Sequence, residues 1–364
     1  MICNQLWPDR ESARAAPVGD IDLVRCETCA FIWNRAFEPE RVVYATGYEN
    51  ALHHSTTFQA FAKDLSRHLI DSYDLVGKHV IEIGCGDGHM LDLLMQGGVA
   101  TATGFDPSME GRESPFAARP GVEIVPEYFD SRQLRRPFDM ITCRHVLEHL
   151  DTPRSLLETI RDAIGDRDVP VYFEVPNAEW MLESVSIWDV IYEHVGYWSA
   201  ASIASAFRRA GFKPVSVRSG YAGQFLMVEM RPDGADTPDS VAGSDRIAAL
   251  ADNFRDATIR EIADWRARLA GASGKVVIWG AGSKGVTFAN ALGPDGGALA
   301  AMVDLNERKH GLFAPGVALE IVPPEALIEL SPDLVLISNA LYRAEISEQV
   351  RGMGLSPDFA VLAG

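Results

Sequence analysis

Long apolar runs are missing from this sequence, and no stretch is long enough to cross a bilayer as a helix. A helical membrane protein is therefore not expected. Basic residues are also short, with 33 Lys and Arg against 51 Asp and Glu and a net charge of -18. A face that neutralises a nucleic-acid backbone needs the opposite balance. Nucleic acid is thus not the expected partner, although an anionic small molecule could still sit in a local basic pocket. Cysteine is scarce: five residues in 364, at spacings that form no disulfide framework. The first residues, MICNQLWPDRE, lack a basic region followed by an apolar core, so no secretory leader is expected. The expected location is cytoplasmic.

What is present is enough apolar material, 47% of residues, for packed cores in two or three domains. The most informative stretch is residues 79 to 106. An apolar run from His79 to Ile83 leads directly into Gly84, Gly86 and Gly88. A helical pattern carrying Met90, Leu91, Leu93 and Leu94 follows, then a second apolar run ending at Asp106 and Pro107. Strand, glycine turn, helix, strand and acid is the opening of a parallel nucleotide-binding sheet. The glycines let the backbone pass close to a ligand, and the acid can accept from both hydroxyls of a ribose. The expected fold class is α/β, a doubly wound Rossmann-like sheet. A dinucleotide fingerprint would read G-x-G-x-x-G; this stretch reads E-x-G-x-G-x-G with Glu82 inside the strand. That resembles motif I of the class I S-adenosylmethionine (SAM) methyltransferases. The resemblance implies SAM as cofactor.

In VEIVPEYFD, Tyr128 and Phe129 fall where an aromatic could stack on adenine, and Asp130 where an acid could accept from its amine. FDMITCRHVLEHLDTPR reads as the fourth strand with a helix starting behind it. Cys143, Arg144 and His145 then lie at the carboxyl end of the strand, where ligands bind in such sheets. VPVYFEVPN is the fifth strand and ends at Asn177. An amphipathic helix is predicted near Thr57 to Ile70, with Tyr48 and Ser55 before it as lid candidates.

Three further features bear on chemistry. RCETCAFIWN is a C-x-x-C knuckle whose Cys26 and Cys29 could supply half of a tetrahedral zinc site, with only Cys3 to add. The aromatic insertion contains VIYEHVGYWS, where His194 stands beside Glu193 and Tyr192, with Tyr197 nearby; a histidine so placed is a workable general base. After the Pro/Gly-rich residues 232 to 245, a long helix is predicted at about Arg246 to Leu269. KVVIWGAGSKGVTFANAL then opens a second strand–glycine–helix unit. Gly280, Gly282 and Gly285 satisfy G-x-G-x-x-G, with Asp304 near the expected distance. That unit reads either as an NAD site or, given Lys284 in the loop and Lys309 beyond Asp304, as a site for the phosphates of an acceptor.

Taken together, the cysteine knuckle, the SAM-type stretch, the E-H segment, GQFLMVE, KHGLFAPG and NALYRAEI resemble the C-methyltransferases that act on nucleotide-linked deoxysugars. The resemblance implies a zinc-binding-like module over 1–45 and a SAM-dependent methyltransferase domain over 46–232. A linker and connecting helix would cover 233–273, and a Rossmann-like substrate domain 274–364. It implies a nucleotide sugar lying across the last two domains near Asn177, Tyr197, Lys284, Lys309 and Tyr342. It also implies zinc on Cys3, Cys26 and Cys29, with His194 as base, Glu193 orienting it and Tyr192 steadying an enolate. In the family segment a tyrosine stands two places before the glutamate; here that position is Ile191. An O- or N-methyltransferase on another phosphorylated acceptor, or a protein that binds NAD or a sugar nucleotide, stays open at this level.

Overall fold

A computed structural model describes residues 2–42, 51–134, 136–233, 244–272, 274–293 and 299–362. Tyr44 and Tyr48 lie outside the described residues. A short helix α1 (Arg10–Arg14) opens the described chain, capped by Asp9. The knuckle turns between β1 (Leu23–Arg25) and β2 (Ile32–Asn34), which pair antiparallel.

Helix α2 (Thr56–Tyr73) is capped by Ser55 and ends where Asp74 takes a left-handed conformation. Phe58, Ala62, Leu65 and Leu69 recur at three- and four-residue spacing, so one face is apolar and buried. The seven-stranded central sheet begins with β3 (His79–Ile83), every residue of which is buried. Helix α3 (His89–Gln96) starts at Gly88, whose φ of 91° suits glycine. Next come β4 (Thr101–Phe105), β5 (Val122–Val125) and β6 (Met140–Arg144), all joined in parallel, then α4 (Pro153–Ile164). Strand β7 (Val171–Pro176) pairs parallel to β6 and is followed by α5 (Ala178–Glu183).

Strand β8 (Gly196–Tyr197) leaves this sheet and pairs with β2. The N-terminal sheet is therefore completed from the aromatic insertion, about 160 residues further along. Three residues per strand bury too little apolar surface for independent stability. After α6 (Ala200–Arg209), strands β9 (Phe212–Gly220) and β10 (Phe225–Pro232) close the sheet antiparallel, in the order β5-β4-β3-β6-β7-β10-β9. Successive strand residues face opposite sides. Ile81 and Ile83 meet Leu157, Ile160 and Phe207, whereas Val80 meets Leu65, Leu69 and Leu94.

The long helix α7 (Ser244–Ala270) leads to β11 (Val276–Trp279), α8 (Ser283–Leu292) and β12 (Leu299–Val303). Then follow β13 (Ile321–Val322), α9 (Leu327–Leu330), β14 (Leu334–Ile337), α10 (Arg343–Gly352) and β15 (Asp358–Val361). These five strands form a second, all-parallel sheet, β13-β12-β11-β14-β15. The α/β class and its second α/β unit are as the sequence implies. One buried cluster joins this unit to the rest: Leu6 and Ile32, Trp188 and Ile191 from the insertion, and Phe288 and Leu336 pack together. The Trp188 indole N–H donates to the Leu362 carbonyl at 3.0 Å, and its ring meets Phe288 edge-on.

Candidate active site

The carboxyl ends of β3, β4 and β6 open into a cavity of about 430 Å³ that the second sheet closes from the far side. That size suits a drug-sized ligand. Gly84, at φ 71°, has no room for a side chain, because a Cβ would run into Val146 Cγ2. Asp106 lies opposite. One of its oxygens accepts from Gly86 N at 2.7 Å, and the other from Ser108 N and Oγ. The carboxylate is thereby fixed at the cavity wall, and lone pairs remain for ribose hydroxyls. Pro107 and Phe129 continue the wall, with Phe129 set edge-on against Phe105 at 5.3 Å. Tyr128 also borders the cavity but is 68% exposed. Asp130 is engaged by Arg132 instead. A nucleoside with an amino-acid tail fits this frame. Gly88 does not line the cavity: it caps α3. Cys143 does not line it either, being turned into the core beneath β6.

Beneath the loop lies a buried set of charges. Arg144 reaches Glu174 at 3.0 Å and Glu82 at 3.9 Å. Burial, despite the Arg144 charge, pushes the Glu82 carboxyl up to about 8, so it is protonated at neutral pH. Glu174 is driven the other way: burial opposes its charge, but Arg144 and His145 outweigh it and hold the carboxyl at about 2. His145 sits in the left-handed region, at φ 54°. Its ring lies 3.0 Å from Glu174 and 3.6 Å from Glu148. Burial disfavours the imidazolium, yet these two carboxylates raise its pKa to about 9. No helix carries His145 and His149 on one face. The chain makes a single tight turn at Leu147–His149 and α4 begins only at Pro153.

His194 lines the same cavity. Burial first, and His149 next, lower its pKa to about 4, leaving a neutral ring at physiological pH. Its two sequence neighbours go elsewhere. Glu193 is fully buried with its carboxylate accepting from Asn4 N at 3.1 Å. Its carbonyl meets His149 Nδ1 at 2.9 Å. Tyr192 packs on Phe37 and its hydroxyl accepts from Glu38 N at 3.0 Å. Neither borders the cavity, so the expected orienting and enolate-steadying roles do not fit their positions. Tyr192 and Glu193 are the central residues of a tight turn closed by His194 N–H to the Ile191 carbonyl at 3.2 Å, and of the three only His194 borders the cavity. Tyr197 borders the cavity and its hydroxyl donates to the Ile191 carbonyl.

The structure does not bring the three expected zinc ligands together. Cys3 is buried with its sulfur 3.4 Å from Thr287 Oγ1. Among the described residues, the three cysteines do not form a group of ligand atoms within 4.8 Å of one another. Two thiols do not complete a tetrahedral site.

From the second sheet, Lys284 borders the cavity, 3.0 Å from Asp189 and over the Trp180 ring. Lys309 also borders it, but its ammonium is held by Asp304 and the Ala281 carbonyl. Asp304 is thus engaged by Lys309, Ala281 N and Asn306 N, and is not part of the cavity wall. An acid so placed is not presented to the ribose of NAD, which removes the main support for a dinucleotide there. Asn177 caps α5 and its amide donates to the Gly223 carbonyl. Tyr342 shares a 2.7 Å hydrogen bond with Tyr221, and Gln224 and Asn339 exchange two amide hydrogen bonds at 3.1 and 2.8 Å. Ser55 is no lid: its hydroxyl donates to Glu345. Sequence reading missed Glu148, Gln224, Asn339 and Glu345. Only Glu148 carried a local signal, an acid flanked by histidines.

Residues 53–217 match the methyltransferase domain family, and residues 243–355 match the C-methyltransferase C-terminal domain. The central unit thus matches a methyltransferase domain. A ubiquinone biosynthesis O-methyltransferase of Bordetella avium (strain 197N) is 25% identical over 167 residues, 40% of this chain and 66% of that protein. Its counterpart in Pseudomonas entomophila (strain L48) is 33% identical over 95 residues, 23% of this chain and 38% of that protein. This chain therefore spans less than two thirds of either relative. The central unit is similar in fold to a 1,6-didemethyltoxoflavin-N1-methyltransferase of Burkholderia thailandensis, solved with bound 1,6-didemethyltoxoflavin and S-adenosylhomocysteine. The TM-score is 0.37 at 18% identity, covering 47% of this chain and 78% of that one. A magnesium protoporphyrin IX methyltransferase from Synechocystis PCC 6803 gives 0.38 at 18% identity, covering 54% and 93%. Among the described residues, no helix is long and apolar enough to cross a membrane.

Proposed function

We propose that this protein is a SAM-dependent C-methyltransferase whose acceptor is a keto sugar linked to a nucleotide, held between the two sheets. The observation that carries the reading is the placement of neutral, half-buried His194 on a cavity bordered by both glycine loops, Gly84–Gly86 and Gly282–Lys284. The match to a C-methyltransferase C-terminal domain supports carbon as the methylated atom. When bound, SAM supplies an electrophilic methyl group. Asp106 holds the ribose end, and Phe129 the base. His194 takes the proton from the carbon beside the keto group. The electron pair left there forms the new carbon–carbon bond as the methyl–sulfur bond breaks, and the proton leaves His194 to solvent. Juxtaposing the two reactants supplies much of the acceleration. Lys284 and Arg308, both at the cavity border, would face the acceptor's phosphates.

Mass spectrometry of products from SAM and a panel of 4-keto nucleotide sugars tests this. A product heavier by one methylene from one panel member is expected, with His194→Gln slowing its formation roughly 10²–10⁴-fold. Full activity in that variant would remove the base. O-methylation is the second reading, favoured by the names of the curated relatives. It would show as a methyl ether on a hydroxylated acceptor.

A further inference from the structure

Beside the proposed base lie two groups, His149 and Glu148, that have no role in that scheme. One ring nitrogen each of His149 and His194 and one carboxylate oxygen of Glu148 lie within 4.8 Å of one another. Glu148 is 1% exposed, and its Oε2 has no hydrogen-bond partner among the described residues. The other oxygen faces His145 at 3.6 Å, and His145 in turn is anchored 3.0 Å from Glu174. Glu148 is therefore held by His145, with a carboxylate oxygen within 4.8 Å of a ring nitrogen of each of His149 and His194. A buried carboxylate with an unused acceptor is costly unless something answers it during the working cycle.

Resting on the reading of His194 as base, we propose that Glu148 is a positioning residue, the fixed counter-charge for His194 once that ring has taken the acceptor's proton. An imidazolium shielded from water is unfavourable without an anion at hand. The other groups around His194 do not supply one. His149 and His145 would oppose its charge, and Asp189 is answered by Lys284 at 3.0 Å. Glu193 is turned to Asn4, and Tyr197 donates to Ile191. Cys143 lies near Glu148 but is buried as a neutral thiol. Burial opposes the charge of Glu148, but the hydrogen bond from the protonated His145 outweighs it and keeps the carboxylate anionic. His149 is held by the Glu193 carbonyl at 2.9 Å, which fixes the ring beside both partners.

The test is an NMR titration of histidine-labelled protein, with His194→Gln to assign the signal. It compares the full chain with Glu148→Gln, which keeps the shape and removes the charge. The His194 midpoint should fall by about one pH unit in Glu148→Gln. Glu148→Asp should restore most of it. With an acceptor in hand, the acid limb of kcat/KM should move the same way while kcat falls about 100-fold. SAM affinity, measured by calorimetry, should not change. An unmoved His194 midpoint in a folded, SAM-binding Glu148→Gln protein overturns the proposal. Loss of turnover on dialysis against EDTA, restored by Zn²⁺ or Mn²⁺, also overturns it, because the trio would then hold a cation. The midpoint needs no acceptor, so an error in the acceptor reading leaves this test standing, and loss of SAM binding would show separately.

Discussion

At the scale of single residues, Asp106 and Glu82 make opposite demands although both are acids beside one glycine loop. Asp106 is anchored by Gly86 and Ser108 and faces the cavity. Asp106→Ala should weaken SAM binding by about 1–3 kcal/mol, roughly tenfold to a hundredfold in Kd, as read by calorimetry. Glu82 is protonated at neutral pH, with a folded pKa of about 8 against an ordinary 4.5. The folded state holds that proton more tightly, so its contribution to stability is full below about 4.5 and fades as the pH rises through 8. Glu82→Gln mimics the protonated form. It should change stability at pH 7 by less than about 1 kcal/mol, and chemical denaturation should show less loss between pH 5 and 8 than wild type. His194 runs the other way: with a pKa near 4 against 6.5, its contribution is lost as the pH falls through 4. The pattern E-x-G-x-G-x-G and the distant Asp106 were legible because local spacing fixes them. The roles of Tyr192 and Glu193 were not. Which side a residue faces in an irregular segment depends on contacts with Asn4 and Glu38, more than 150 positions away.

At the scale of elements, the start of α2 is completed by the other end of the chain. Glu345 on α10 accepts from Ser55 Oγ at 2.9 Å, Thr56 N at 3.1 Å and Thr57 Oγ1 at 2.8 Å. Carboxylates suit the free N–H groups and positive end of a helix. Glu345→Ala should cost about 1 kcal/mol, and hydrogen exchange should rise first in the opening turn of α2. Gly84→Ala should be worse. Both its positive φ and the clash with Val146 would distort the loop, so SAM binding should fail while the far strands keep their exchange protection. The main strands and α2 and α7 were readable from apolar periodicity. The helix expected directly after β6 was not formed, because His145 turns left-handed to reach Glu148 and Glu174. A buried ion cluster overrode a favourable local pattern there.

At the scale of the whole molecule, two glycine loops that look alike in sequence play different parts. Asp106 is offered to the cavity; Asp304 is consumed by Lys309. Separate titrations should therefore give saturable SAM binding and no NADH binding, and a saturable NADH signal would reverse the assignment of the second loop. Trp188 ties the two sheets together through Leu362 and Phe288. Trp188→Ala should cost about 3–5 kcal/mol, and thermal melts should change from one transition to two. Composition and motif order made both α/β units legible, but not how the sheet of the cysteine module is completed. Its third strand, β8, comes from the insertion, and no local pattern announces a pairing so remote.

The Trp188 contact also orders events during synthesis on the ribosome. Its partner carbonyl lies 174 positions later, so the indole cannot find it until almost all described residues have emerged. Glu345 reaches Ser55 across 290 positions under the same constraint. Domains usually fold one after another as they appear. Here the central unit must wait, with the start of α2 short of its Glu345 partner and an apolar flank open, for the segment that closes the cavity. A nascent chain stalled before α10 should be captured by chaperones and sensitive to protease, and methyl transfer becomes available only once the late segment has docked.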